Sequence, residues 1–186
     1  MRPAFDALAS PVPLLGITGW SGAGKTTLIE ALLPLLDVQE LQVAVLKHAH
    51  HGFTVDQPGK DSDRFRQAGA VPVIVASARR FAVMMETPQQ AAADEPDLPL
   101  LLDYARLARP DLILIEGFKN WPLPRLQVCR PGSSHLGRLP VDGWTLGIAS
   151  PEPLPVADGL LWLPLDQPAV IADWIMGWQA RWPGSF

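Results

Sequence analysis

The chain is nearly without cysteine: Cys129 is the only one in 186 residues. An intrachain disulfide is therefore excluded, and the composition suits a reducing compartment. Long apolar runs are missing too, and none approaches the ~20 residues of a membrane-spanning helix. The first eleven residues lack the apolar core of a secretory leader. Positive charge is in deficit, with a formal net charge of −4 and a pI near 5.5. That balance argues against a nucleic-acid footprint or a polybasic membrane patch. The expectation is a cytoplasmic protein with no nucleic-acid or membrane partner. Lysine is scarce, at positions 25, 47, 60 and 119 only, among 15 basic residues. Proline is the opposite case. Its 20 residues are spread between apolar runs, where they punctuate loops and element ends.

Against this background one stretch stands out, Gly19-Trp20-Ser21-Gly22-Ala23-Gly24-Lys25-Thr26-Thr27. It matches the phosphate-binding loop Gly, four residues, Gly-Lys-Ser/Thr. Gly22 and Gly24 let the backbone turn tightly and bring N–H groups close to a polyphosphate. A helix starting near Lys25 aims the positive end of its dipole at the same anion. Lys25 adds a compact charge for the β and γ oxygens, and the Thr26 hydroxyl is a ligand for Mg²⁺. Ser21, Ala23 and Thr27 complete the phosphate cradle. An apolar run leads in at 12–17 and helix formers lead out at 28–33, as the motif requires.

Further along, Asp111-Leu112-Ile113-Leu114-Ile115-Glu116-Gly117-Phe118-Lys119 reads as a buried parallel strand with an acid at its carboxyl end. Glu116 is placed to hold Mg²⁺ or polarise a nucleophile. Asp111 starts the strand, about 17 Å away at ~3.3 Å per residue. All four lysines fall beside chemically suggestive stretches: the P-loop, the end of a strand (Lys47), a Pro-Gly-Lys-Asp loop (Lys60) and the residues after Glu116 (Lys119). Lys47-His48-Ala49-His50-His51 suits anion contact or solvation better than metal ligation. His48 and His50 share a face of an extended segment, yet Cys129 is alone and His135 remote, so no zinc-like set forms. Asp56, Asp61 and Asp63 flank Lys60; Asp56 or Asp61 is a candidate to reach a Mg²⁺ water, Asp61 also for the Mg²⁺ shell, with an exposed acidic loop as the alternative. Arg79 and Arg80 are candidate arginine fingers whose default reading is surface charge. No lysine follows Asn or Thr as in the guanine-reading Asn/Thr-Lys-x-Asp motif, which leaves ATP and GTP both open at this point.

The periodicity predicts strands at about 12–18, 41–47, 71–77, 81–86, 112–115, 125–129, 144–149 and 159–163. Helices are predicted from the P-loop to about 36, over 61–68 and 100–107, and over 167–182 with Asp166 as N-cap. Trp174, Trp178 and Trp182 share a face of the last one, a stripe better suited to core packing than to a cofactor. Residues 1–11 are expected to be a mobile tail and 12–186 a single domain. The fold class is α/β, a P-loop NTPase with a mostly parallel central sheet flanked by helices. Its ligand belongs at the carboxyl ends of the strands.

Trp20 to Thr27, Lys47 to His51, Pro58-Gly59-Lys60-Asp61-Ser62, Ala68-Gly69-Ala70, Val75-Ala76-Ser77 and Glu116-Gly117-Phe118-Lys119 together resemble, in order and spacing, the MobB family of molybdopterin-guanine dinucleotide biosynthesis adaptors. The likeness covers residues 13–120 strongly and 121–180 loosely. It implies a GTP-binding protein with slow hydrolysis, acting beside the guanylyltransferase MobA on molybdopterin, and a homodimer with sheet and C-terminal elements at the contact. GTP and Mg²⁺ are the implied cofactors, and Lys47, His48, Lys60 and Lys119 the implied anion or pterin contacts. The base is expected near the strand ending at Ala149-Ser150, where the family often continues with Asp and this chain has Pro151-Glu152. Two other readings compete, an ATP-dependent small-molecule kinase with 87–99 as its lid, and a non-hydrolysing scaffold regulated by nucleotide.

Overall fold

In the computed structural model, residues 5–49, 52–86, 96–130, 140–154 and 159–183 are described. His50, His51, His135 and most of the 87–99 segment lie outside them. The chain divides into two compact units, residues 1–48 with 95–186, and residues 49–94.

Among the described residues the larger unit has six strands: β1 (Leu14–Thr18), β2 (Val43–Lys47), β5 (Leu112–Glu116), β6 (Arg125–Val128), β7 (Thr145–Ser150) and β8 (Leu161–Pro164). They lie in the order β2-β5-β1-β6-β7-β8, and every neighbouring pair is parallel. Parallel neighbours need long crossovers, which place helices on both faces of the sheet. Accordingly β1 and β5 are buried along their whole length, apolar on both sides. On one face Leu15, Ile17, Leu112 and Leu114 pack with Leu28, Leu32 and Leu36 of α1 (Lys25–Val38) and Ile171 and Ile175 of α4 (Pro168–Gln179). On the other, Leu14, Ile113 and Ile115 meet Leu98 and Leu102 of α3 (Leu98–Arg106).

α1 runs past its internal Pro34 to Val38. The cost of the missing N–H is offset by tertiary packing, since Leu32 and Leu36 are fully buried on either side of it. α3 opens with Asp97, whose carboxylate accepts from the Leu100 N–H. Asp97→Ala is expected to cost about 1 kcal/mol, a fall in Tm of about 2–4 °C for a domain of this size; an unchanged melting curve would show the cap to be idle.

Three features differ from the sequence reading. The tail expected over 1–11 is partly built in: Ala7 is buried in a single 3₁₀ turn (Ala7–Ala9), and the Trp182 indole N–H donates to the Ser10 carbonyl at 2.8 Å. Asp166 does not cap α4; Gln167 holds the N-cap position, and Asp166 instead accepts from Arg130 at 3.0 Å. Finally, β3 (Val73–Ala76) and β4 (Phe81–Met84) do not join the sheet. They pair antiparallel with each other in the smaller unit, alongside α2 (Asp61–Gln67). Four residues connect the two strands, too few for a parallel crossover and right for a hairpin. The Trp stripe behaves as core: Trp182 is buried, and the rings of Trp174, Trp178 and Trp182 follow one another at 6.3 and 5.3 Å.

Candidate functional site

The site forms where three strands end level with one another. Parallel register sets Ile17 of β1 and Lys47 of β2 beside Glu116 of β5. Side chains alternate along a strand. Leu112 and Leu114 face α1, so Glu116 does as well, while Ile113 and Ile115 turn to the opposite core. The chain leaving β1 enters the P-loop, where Gly19, Gly22 and Gly24 all have positive φ (148°, 78° and 97°). Gly19 also passes so close to the Val128 carbonyl that a Cβ there would collide with it. Gly24 is the N-cap of α1, and its carbonyl accepts from the Leu28 N–H. Ala23 is buried as a wedge beneath the loop, whereas Ser21, Gly22, Thr26 and Thr27 are exposed.

Lys25 curls back over this loop and donates to the Gly19 and Trp20 carbonyls at 3.0 and 2.9 Å. Partial burial lowers its pKa below the usual 10.5; the Glu116 carboxylate opposes that shift, and the like charges of Lys47 and Lys119 add to it. In the first turn of α1, the Thr26 hydroxyl lies 3.0 Å from each oxygen of Glu116. Lys47 reaches the same place, with its ammonium 3.2 Å from Thr26 Oγ1 and 3.4 Å from Glu116 Oε2. Ninety residues of chain separate Thr26 from Glu116, yet a hydroxyl, a carboxylate and the Lys47 ammonium share one corner.

That corner fits a small hard cation. Adjacent ligands of an octahedral Mg²⁺ with bonds of 2.0–2.1 Å stand about 2.9 Å apart, close to the Thr26–Glu116 spacing of 3.0 Å. Both donors are oxygens, as Mg²⁺ prefers, and Lys47 already brings a positive charge to the same two groups. Among the described residues no group of three or more His, Cys, Asp or Glu side chains could hold a metal by itself. The remaining ligands of a cation here would come from phosphate and water, the usual pattern for Mg²⁺.

The turn after Glu116 is tightly made. Gly117 and Phe118 both have positive φ, at 92° and 50°, and a Cβ on Gly117 would sit 3.0 Å from the His48 Cβ. Phe118 is buried, with the His48 ring 5.0 Å from its own, and the His48 N–H donates to the Glu116 carbonyl. His48 thus braces the Glu116 corner. Lys119 stands over the Trp20 ring of the P-loop, 5.0 Å from its centroid, a cation–π contact that joins the two loops.

A residue that sequence reasoning passed over holds this turn in place. Arg125, first residue of β6 and 6% exposed, donates to the carbonyls of Lys119, Trp121 and Leu123 and pairs with Asp142 at 3.4 Å. Its signal was a charge inside the apolar run Leu123-Pro124-Arg125-Leu126. A buried charge needs such a full set of partners.

Lys60 and Asp61 belong to the smaller unit. Lys60 is the N-cap position of α2, and Asp61 lies exposed in its first turn, 3.9 Å from Arg64. Asp56 accepts from the Ser62 hydroxyl, and Asp63 closes the Pro58-Gly59 loop by accepting from the Gly59 N–H, Arg66 and Gln67. The Gly59 bond, helped by Gln67 and Arg66, holds the Asp63 pKa below the usual 3.8 against the effect of burial. Asp63 is thus an architectural carboxylate. Arg79 and Arg80 sit at the hairpin turn, where the Ser77 hydroxyl accepts from both of their N–H groups. Among the described residues no helix is long and apolar enough to cross a membrane.

The chain is similar in sequence and in fold to proteins of molybdopterin-guanine dinucleotide biosynthesis. A family model described as MobB, molybdopterin guanine dinucleotide synthesis protein B, matches residues 14–146. The molybdopterin-guanine dinucleotide biosynthesis adapter protein of Escherichia coli K12 is 38% identical over 93% of this chain and 97% of its own length. The Haemophilus influenzae protein of the same name is 40% identical, over 94% and 93%. The crystal structure of Bacillus subtilis MobB superposes with a TM-score of 0.69 at 27% identity, covering 89% of this chain and 96% of that one. By sequence match and by fold, the chain belongs to the MobB family.

Proposed function

We propose that the chain is a Mg²⁺-dependent GTP-binding adapter that assists the attachment of GMP to molybdopterin, with slow GTP hydrolysis at most. The observation that carries this reading is the convergence of Lys25, Thr26, Lys47 and Glu116 at the mouth of a P-loop. The P-loop amides and the start of α1 bind the triphosphate tail. Lys25 exchanges its two loop carbonyls for β and γ oxygens. Thr26 and Glu116 would hold Mg²⁺, which would supply positive charge to the triphosphate. Lys47, Lys119 and His48 flank the anion on the β2–β5 side. Glu116, with Thr26 and Lys47 on its two oxygens, is committed to the metal more than to an attacking water, which keeps turnover slow.

The family membership supports the pathway: the relatives are adapter proteins of molybdopterin-guanine dinucleotide biosynthesis by name. The guanylyltransferase of that pathway is the expected partner. In the smaller unit, Lys60 stands on a groove with Phe65, Ile74 and Val75, which suits a pterin carrying a phosphate. Phe81 and Val83 of the hairpin, outside that groove, are exposed, and such apolar surface supports the expected homodimer. Calorimetric titration with GTP and ATP, each with and without Mg²⁺, tests the reading. GTP is expected to bind, more tightly with Mg²⁺. Failure of both nucleotides to bind would end it.

A further inference from the structure

The metal corner occupies the β5–β2 side of the P-loop, so a nucleoside attached to the bound phosphates extends over the other side, across the ends of β6, β7 and β8. Two charged side chains meet there. Arg130 stands two residues beyond β6 and Asp166 two residues beyond β8, and they pair at 3.0 Å across the end of β7. That span is two strand spacings, about 10 Å. Arg130 also lies against the P-loop: a Cβ on Gly24 would be 3.9 Å from its Nε. The end of β7 is otherwise engaged. The Ser150 hydroxyl, fully buried, donates to the Glu152 carbonyl and accepts from the Trp162 indole, and Pro151 has no N–H.

Resting on the nucleotide-site reading above, we infer that Asp166 is the specificity-determining residue of the site, its carboxylate reading the N1–H and N2–H₂ donors of a guanine base while Arg130 orients it from the P-loop side. An ionised carboxylate only accepts, with two oxygens and about four acceptor positions. Arg130 uses Oδ1, which leaves acceptor positions for a base edge. Guanine presents two adjacent donors there. Adenine presents a ring nitrogen that also accepts, and two acceptors facing each other repel. Asparagine at this position would accept from N1–H and donate to a 2-oxo group, the pattern of xanthine.

The test is calorimetry of the full chain and of Asp166→Asn with GTP, XTP, ATP and inorganic tripolyphosphate, all with Mg²⁺. Wild type is expected to prefer GTP over ATP. Asp166→Asn should lose about 10- to 100-fold in GTP affinity, the worth of a charge-assisted pair, and bind XTP more tightly than GTP. Tripolyphosphate binding should be unchanged, which also reports that the variant is folded. If the variant does not melt cooperatively, Asp166→Glu serves instead: it keeps the charge, so weaker GTP binding with XTP still disfavoured is expected. GTP binding unaltered by either variant, or a wild type that takes ATP as readily as GTP, overturns the inference and leaves the phosphate site standing. A wild type that binds no nucleotide and no tripolyphosphate overturns the phosphate site itself.

Discussion

Lys25→Ala is expected to lower GTP affinity by at least about 100-fold, because each charge-assisted hydrogen bond from the ammonium to a phosphate oxygen is worth about 1.5–3 kcal/mol and Lys25 reaches two of them. The geometry explains why so little of this is recovered elsewhere. The ammonium is held over the loop by the Gly19 and Trp20 carbonyls, beside the proposed phosphate position. Lys47 approaches from the end of β2 and Lys119 from the turn after β5, and they are tied to Glu116 and to the Trp20 ring. Lys25→Met preserves the stem and is the control for packing. Thermal melts on the same samples separate lost binding from lost folding. Wild-type affinity in either variant would remove Lys25 from the site.

The pH dependence follows from the same lysine. Its folded pKa is lowered, burial being the largest cause, so the native state binds fewer protons than the unfolded chain at pH values between the lowered pKa and 10.5. Through that window stability contributed by this group rises with pH, since the cost of burying the charge disappears as the proton leaves. Binding runs the other way. An arriving phosphate stabilises the charged form, so GTP affinity should fall as pH climbs through the window, with proton uptake on binding. Equal affinity at neutral pH and near pH 10 would show that the proton on Lys25 does not matter.

The second large effect is expected of Glu116→Gln, at the proposed Mg²⁺ position. Glu116 is 8% exposed and serves as acceptor for Thr26 and ion-pair partner for Lys47. The amide keeps the shape, removes the charge and turns one acceptor into a donor facing Lys47. The enhancement of GTP binding by Mg²⁺ should shrink by about 10- to 100-fold, the cost of losing one charged ligand interaction. GTP affinity without Mg²⁺ should hold or improve, because a negative charge beside the phosphates is gone. Thr26→Ala should act on the same term, so the double variant should fall short of the sum by about 1–3 kcal/mol. An undiminished Mg²⁺ effect in Glu116→Gln would remove this carboxylate from the cation's shell.

Which parts of this were legible from the residues alone follows from the range over which each signal acts. The P-loop declared itself because its requirements are local: glycines where φ must be positive, a lysine and a threonine at the first turn of a helix. The central strands were legible from short unbroken apolar runs such as Leu112–Ile115, whose length and β-branched residues suit a sheet buried on both faces. Helix ends were harder, since Asp166 has the right chemistry for an N-cap and the fold spends it on Arg130 instead. The hairpin of β3 and β4 reads as two more sheet strands until one asks with which partner each can pair.

By itself the amino-acid order determined that a glycine-rich loop before a helix, a parallel sheet and a strand-end acid would all be present. Only the tertiary structure decided that Thr26, Lys47 and Glu116 meet at one point, because that meeting depends on the register of three parallel strands brought together from distant parts of the chain. The same holds for Arg125, whose burial and three carbonyl partners exist only once the turn after Glu116 has folded over it. Local conformation follows from neighbours along the backbone. The position of a charge relative to another charge follows from packing, where the burial of Leu32, Leu114 and Ile171 sets the spacing that the polar groups inherit.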